Sequence, residues 1–394
     1  MPRAPREAAI KQTKPETAQL NSSSRLPSRP AAWLAADADR EHSWIQRLDA
    51  EEIAGFESAL AHAKKLNRPL LDLTPDDFPI GAAARAALQR AIATTQGRWG
   101  MCLLKGFPVD RWSEEETRLA YWGMSLHMGV ARTQNRASEV INDVRDIGSV
   151  YKTTNGRGYN TNASLDFHMD SCDVVGLLCR RTARSGGESK VVSSLAVYEE
   201  IARRRPDFAD VLRGPFYYSY QGAQDPAQRP WYCCPIVGNE PDWFAMRLNR
   251  KNVIAAQKDF EQVPRLTAAQ TEALDLLDEL MPDPRFCFSM WLERGDLQLL
   301  NNYVTIHSRS AFEDHDDFDM KRHLLRLWLA IPGAQPLPPN WREYFGDVRA
   351  GAVRGGLRGS NRTAQFEAYE KRQAAHMNMP LAEWAPFEGE PQTA

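Results

Sequence analysis

Leu165-Asp-Phe-His168-Met-Asp170 sets an imidazole and a carboxylate two residues apart. In an extended strand such neighbours point to one face, so His168 and Asp170 could grip one side of a metal ion. Iron(II) oxygenases that keep coordination positions open use two histidines and one carboxylate in this way. His-x-Asp alone is a weak signal, because short triplets recur by chance. A second histidine must come from another strand, and the chain has eight histidines. His42 and His62 fall in helical sequence and His376 lies near the C-terminus, where surface or structural roles suffice. His127 ends a helix, His315 sits in an acidic run, and His323 starts a strand beside Arg322. His307 closes Gly295-Asp-Leu-Gln-Leu-Leu-Asn-Asn-Tyr-Val-Thr-Ile-His307, a strand, a turn and then a histidine, and is the best third ligand.

Arg322-His-Leu-Leu-Arg326-Leu-Trp-Leu opens an otherwise apolar strand with two arginines four residues apart, hence on one face. A buried guanidinium is costly unless it meets an anion. An internal salt bridge is the ordinary answer for one arginine. Two on one face can share a cavity, and a planar guanidinium binds a carboxylate through two parallel hydrogen bonds. The far carboxylate of a dicarboxylic co-substrate requires such a fork.

These residues need rigid elements to hold them. From about residue 139 the sequence breaks into short apolar runs separated by Gly, Pro, Asn and Asp. Residues 174–179, 190–193, 216–220, 243–248, 285–291, 297–300 and 324–331 read as strands, with helices at 195–204 and 267–280. The pattern predicts a mainly β fold with flanking helices, a double-stranded β-helix or jelly roll of the cupin kind. Earlier, Asp49-Ala-Glu-Glu52 and Ser113-Glu-Glu-Glu116 are capping boxes that open helices. Residues 82–93 are Ala-rich and helical, and 101–104 form a short buried strand. Residues 1–30, rich in Pro, Ser, Ala, Lys and Arg, are expected to be a disordered tail. Their prolines disfavour an amphipathic transit peptide. Residues 31–394 are expected to form a single domain.

Bulk properties exclude other classes. Hydrophobic residues make up 43%, enough for a sizeable core, and a net charge of -2 gives no reason to expect nucleic acid or an anionic membrane as partner. No apolar run reaches the 18 or so residues of a spanning helix. The six cysteines form no paired CxxC motifs and read as reduced thiols of a cytoplasmic protein. A small-molecule substrate is the expected partner, and a homo-oligomer is compatible with the sequence.

His-x-Asp, a distant His and an Arg shortly after it resemble the taurine dioxygenase and TfdA-like branch of the iron(II)/2-oxoglutarate dioxygenases. The likeness runs from about residue 98 to about residue 332 and includes Cys102-Leu-Leu-Lys-Gly-Phe-Pro108, the stretch from Phe167 to Cys179, Gly186-Gly-Glu-Ser189, and the stretch from Gly295 to Arg309. It implies that His168, Asp170 and His307 hold Fe(II), with Arg322 on the far carboxylate of 2-oxoglutarate. Ser189 stands where relatives often have a threonine beside that carboxylate. Arg326 matches a position that contacts an anionic substrate group in some relatives, and it could instead support the co-substrate. Ser164 falls at a substrate-contacting position. Tyr159 and Asn160 precede the metal motif as further candidates, and Gln134, Asn135 and Arg247 are weaker ones.

The implied reaction consumes O2 and 2-oxoglutarate, releases succinate and CO2, and hydroxylates an unactivated C–H bond of a small anionic substrate. Asp170 disfavours halogenation, for which relatives have a small residue there. Two other classes compete. A zinc hydrolase could use the same ligands but leaves both arginines unexplained. A cupin-like binding protein would need neither the full ligand set nor a co-substrate arginine.

Overall fold

The computed structural model of the chain describes residues 29–149, 158–238, 240, 242–357 and 363–381. Residues 1–28 of the expected tail lie outside the described residues.

Alternation along the strands builds two facing sheets. In His323–Ala330, Leu325, Leu327 and Leu329 pack outward under helices, while Leu324 and Trp328 pack inward between the sheets. In Val174–Arg181, Val174 and Leu178 face the same helices, and Val175 and Cys179 face the opposite sheet. Each such buried leucine contributes about 1.5–3 kcal/mol. This period of two is why Arg322 and Arg326 share the inner face with Leu324 and Trp328.

The major sheet has seven strands, in the order Ile45–Arg47, Met101–Lys105, Leu297–Asn301, Val174–Arg181, His323–Ala330 and Val130–Ala131, with Ile141–Val144 also on His323–Ala330. Its pairings are antiparallel except for the outermost, where Ile45–Arg47 runs parallel to Met101–Lys105. The minor sheet has four antiparallel strands, in the order Cys287–Met290, Ser189–Ser193, Thr305–Arg309 and Leu165–His168. The arrangement is the expected jelly roll, two sheets face to face and no closed barrel.

Helices cover both outer faces. Ala50–Leu66, Ala82–Thr95 and Glu114–Ser125 bury Phe56, Leu60, Leu88, Tyr121 and Trp122 against the major sheet. Both predicted capping boxes form: Asp49 accepts from the Glu52 amide at 2.8 Å, and Ser113 from the Glu116 amide at 3.2 Å. Between Ser189–Ser193 and Cys287–Met290 the chain inserts Ser194–Arg204, Pro206–Leu212, Arg250–Asp259 and Ala268–Leu280. Their Val197, Ile201, Leu212, Leu274 and Leu277 pack on Val192 and Ile306, the outward residues of the minor sheet.

Two expectations differ from the structure. Residues 243–248 form no strand and make only an isolated bridge, Val237 to Met246. Their amides bond elsewhere, Met246 to the Tyr303 carbonyl and Arg247 to that of Ile236, which wedges the segment between the insertion and the jelly roll. Conversely, Thr305–Arg309 is a strand buried along its whole length that the polar residues Thr305, His307 and Arg309 disguised.

Candidate functional site

Strand pairing brings the first two histidines together. His307 lies directly opposite His168 in register, and the ring centroids are 4.4 Å apart. The expectation that His168 and Asp170 share one strand needs correction, because the strand Leu165–His168 ends at the histidine. Past it, Met169 donates to the Leu248 carbonyl at 2.9 Å and Asp170 to the Asn302 side chain at 3.1 Å. These bonds turn the carboxylate back toward the imidazoles. Asp170 Oδ1 lies 3.9 Å from His168 Nε2, and Oδ2 lies 3.8 Å from His307 Nε2.

The donor chemistry fits a first-row metal ion. The His168 Nδ1–H donates to the Asp166 carbonyl at 2.8 Å, which fixes the tautomer and leaves the Nε2 lone pair facing the cluster. Burial, with the Arg326 charge adding to it, pushes His307 down to about 3, so it is neutral and able to ligate. Burial works against ionisation of Asp170, but Arg326, His307, His168 and the Trp328 hydrogen bond outweigh it and hold the carboxyl below its usual range. Donors 3.8 and 3.9 Å apart can share one ion bonded to each at about 2.0–2.2 Å.

A second group, Glu114, Asp143 and His323, has the composition of a metal site. Its charges are already met. Glu114 pairs with Arg180 at 2.8 Å, and Asp143 takes Arg118 at 2.5 Å and the His323 Nε2 at 2.8 Å.

The triad opens on a cavity of ≈ 200 Å³ between the sheets, which Tyr159, Ser189, Arg322 and Arg326 also line. Arg322 is buried, has no ion-pair partner among the described residues, and leaves Nη1 without a hydrogen bond. Asp314 accepts from the Arg322 backbone amide at 2.7 Å instead. Gly187 makes room for it, since a Cβ there would sit 3.1 Å from Arg322 Nε, and the backbone at φ +81° suits glycine. Ser189 donates its hydroxyl to Gln298 at 2.9 Å. Arg326 is more committed. Its Nε donates to Gln134 at 2.7 Å, Nη1 lies 3.7 Å from Asp170 Oδ2, and the rings of Tyr159 and Trp328 flank it, each 5.0 Å away.

Other sequence candidates lie elsewhere. Ser164 is exposed and does not line the cavity, because it precedes the strand whose far end holds His168. Asn160 is also outside the lining, and its carbonyl accepts from the Ile147 and Ser149 amides. Asn135 closes a local turn with Glu139. Gln134 and Arg247 do reach the cavity.

Three contributors escaped the sequence reading. Trp328 donates its indole N–H to Asp170 Oδ2 at 2.9 Å. It sits two residues beyond Arg326, so strand alternation was a usable signal. Asn302 and Gln298 reach the site from the turn and strand before His307, with no periodic signature.

Comparison with known proteins gives the family and the fold. The taurine catabolism dioxygenase TauD, TfdA family matches residues 67–328. The FR-33289 synthase of Streptomyces rubellomurinus is 28% identical over 328 residues, covering 82% of this chain and 95% of that protein. The uridine-5'-phosphate dioxygenase of an Amycolatopsis species is 26% identical over 189 residues, 45% of this chain and 65% of that protein. Among solved structures, an asparagine oxygenase with Fe(II), 3-hydroxyasparagine and succinate superposes with a TM-score of 0.53 at 17% identity, over 73% of this chain and 93% of that one. The non-heme iron oxygenase OrfP with Fe and alpha-ketoglutaric acid gives 0.54 at 16%, over 72% and 93%. At such identities these two likenesses speak for the fold. With the family match spanning sheets, triad and the arginine strand together, the chain belongs to the taurine catabolism dioxygenase TauD, TfdA family and is an iron(II)- and 2-oxoglutarate-dependent dioxygenase.

Proposed function

We propose that the enzyme hydroxylates an unactivated C–H bond of a small anionic organic molecule, with iron(II) on His168, Asp170 and His307 and the far carboxylate of 2-oxoglutarate on Arg322. The observation that carries this reading is the buried, unpaired Arg322 guanidinium on the same cavity as the triad. A buried cation without a counter-ion is costly, and the far carboxylate of a dicarboxylic co-substrate would supply the missing charge. Ser189, beside it on the lining, adds a hydroxyl once that group turns from Gln298.

Iron(II) with 2-oxoglutarate supplies the oxidising chemistry, in which O2, the co-substrate and the C–H bond become succinate, CO2 and an alcohol. The protein's part is orientation and exclusion of water. Trp328 fixes the Asp170 carboxylate, and the Asp166 carbonyl fixes the His168 ring. Arg326 and Tyr159 border the space left for substrate. Cations around that space support an anionic substrate. A cytoplasmic location belongs to the same reading, supported by six unpaired thiols. No helix of the described chain is long and apolar enough to cross a membrane.

The test measures succinate from 2-oxoglutarate across small anionic metabolites with iron and ascorbate present. Succinate should form one-for-one with an oxidised product, and His307→Ala should lose metal binding while remaining folded. Metal held undiminished by His307→Ala would overturn the ligand assignment.

A further inference from the structure

The cavity has a second buried cation that the iron and co-substrate reading leaves unused. Arg247 is 2% exposed, yet no carboxylate pairs with it among the described residues. Its partners are all neutral. Nη1 donates to the Met169 and Leu248 carbonyls at 3.1 and 3.3 Å, Nη2 donates to the Tyr232 and Tyr344 hydroxyls at 3.1 and 3.0 Å, and Nε has no partner. The guanidinium is thus hydrogen-bonded and lies over the Tyr218 and Tyr344 rings, 5.5 and 4.7 Å away, but meets no anion among the described residues.

The two phenols show where that anion would sit. Their rings stack at 4.1 Å and 19°, and both line the cavity. Each oxygen accepts from Arg247, and neither hydroxyl donates to any protein acceptor among the described residues. A phenol has one proton to give. Burial keeps Tyr232 protonated by raising its pKa well above the ordinary value. A donor that itself accepts from a cation is polarised and donates more strongly. Arg326, by contrast, already shares its charge with Asp170 and its Nε–H with Gln134.

We propose that the acidic group of the substrate, a carboxylate, sulfonate or phosphonate, docks on the Tyr232 and Tyr344 hydroxyls, with Arg247 behind them supplying the compensating charge. The proposal rests on the anionic-substrate reading above and says which residues select the anion. Tyr232 and Tyr344 are then specificity-determining contacts and Arg247 is a positioning residue. Through the Met169 carbonyl, Arg247 also ties this end of the cavity to the peptide joining His168 to Asp170.

The test uses the full chain loaded with Mn(II) and saturated with 2-oxoglutarate. Paramagnetic relaxation of methyl protons follows the binding of methylphosphonate, methanesulfonate and acetate, with neutral dimethyl sulfone as control. At least one anion should bind saturably and far better than the sulfone, and the three arms show which acid group is preferred. The double variant Tyr232→Phe, Tyr344→Phe keeps both rings and should weaken that anion at least tenfold, with 2-oxoglutarate affinity unchanged. Arg326→Lys, which keeps its charge, should weaken that anion clearly less than the double variant does. If only Arg326→Lys weakens the anion, the proposal fails while the anionic-substrate reading stands. If no anion binds the unaltered chain better than the sulfone, both fall.

Discussion

Arg322→Met separates a co-substrate arginine from a structural one by the sign of its effect on stability. The guanidinium is 6% exposed and, among the described residues, has the Phe312 ring 5.2 Å away as its aromatic neighbour. Burial pushes its pKa down, and the nearby Asp314 opposes this only in part. Replacing a buried charge by an apolar side chain of similar length is neutral or stabilising, by up to about 1–4 kcal/mol. The ligand-free chain should therefore resist urea at least as well as the unaltered one. Binding should move the other way. A fork to a carboxylate makes two charge-assisted bonds of about 1.5–3 kcal/mol each, so losing both costs on the order of 10²–10⁴ in 2-oxoglutarate affinity. Arg322→Lys keeps the charge but loses one bond, and should fall only about ten- to a hundredfold. Anaerobic 2-oxoglutarate titration of the metal-loaded protein, with urea unfolding of the metal-free protein, reads both effects. A methionine variant that is more than about 1 kcal/mol less stable, yet binds 2-oxoglutarate as before, would show that Arg322 serves the fold and refute the reasoning.

Other perturbations test neighbouring links. Trp328→Phe removes the indole N–H from Asp170 Oδ2 and should weaken metal binding about 10–100-fold; unchanged affinity in a metal titration would show that the bond does not position the ligand. Asp173, 1% exposed, accepts from Tyr303, from Arg354 and from the Ile331 amide. Asp173→Asn strands the buried Arg354 and should cost about 3–5 kcal/mol in urea unfolding, and a loss below about 1 kcal/mol counts against it. Burial, with the Arg85 charge adding to it, holds His127 down to about 4. Its neutral ring donates to Phe78 and accepts from Arg85. The unfolded chain, with an ordinary imidazole, takes up the proton first as pH falls. The stabilisation is therefore complete above about pH 6.5 and lost toward pH 4, worth about 3 kcal/mol. His127→Gln should flatten that part of the stability–pH curve, and an unaltered slope would assign it to other groups.

The sequence made the fold legible where one physical rule acted alone. Capping boxes at Asp49 and Ser113 needed only local hydrogen bonds. Strand alternation in 324–331 needed only one apolar face toward the helices. The rule failed where both faces of a strand are buried and one carries chemistry, as in Thr305–Arg309. It failed again at 243–248, where Ala245, Met246 and Leu248 are buried in the insertion without a partner strand. Apolar content reports burial, and a ladder also needs a neighbour.

The site divides along the same line. His168 and Asp170 announce themselves through spacing, although a bond from Asn302, rather than a continuous strand, aims the carboxylate. Arg322 and Arg326 announce a shared face, but nothing in their spacing says which keeps an uncompensated charge. That depends on Gln134, 192 residues away, and on Asp170, both of which engage Arg326. Arg247 is the extreme case. Its phenolic partners stand 15 residues before it and 97 residues after it, and neither carries a charge that a sequence pattern could flag. What marks it is the lack of a buried carboxylate beside a buried cation, a property of the folded neighbourhood. On the proposal that the substrate is an anion, the enzyme needs two such deficits, one for the co-substrate and one for the substrate. Both must be left unfilled by the protein's own acids, because an internal carboxylate at either place would compete with the ligand it is meant to receive.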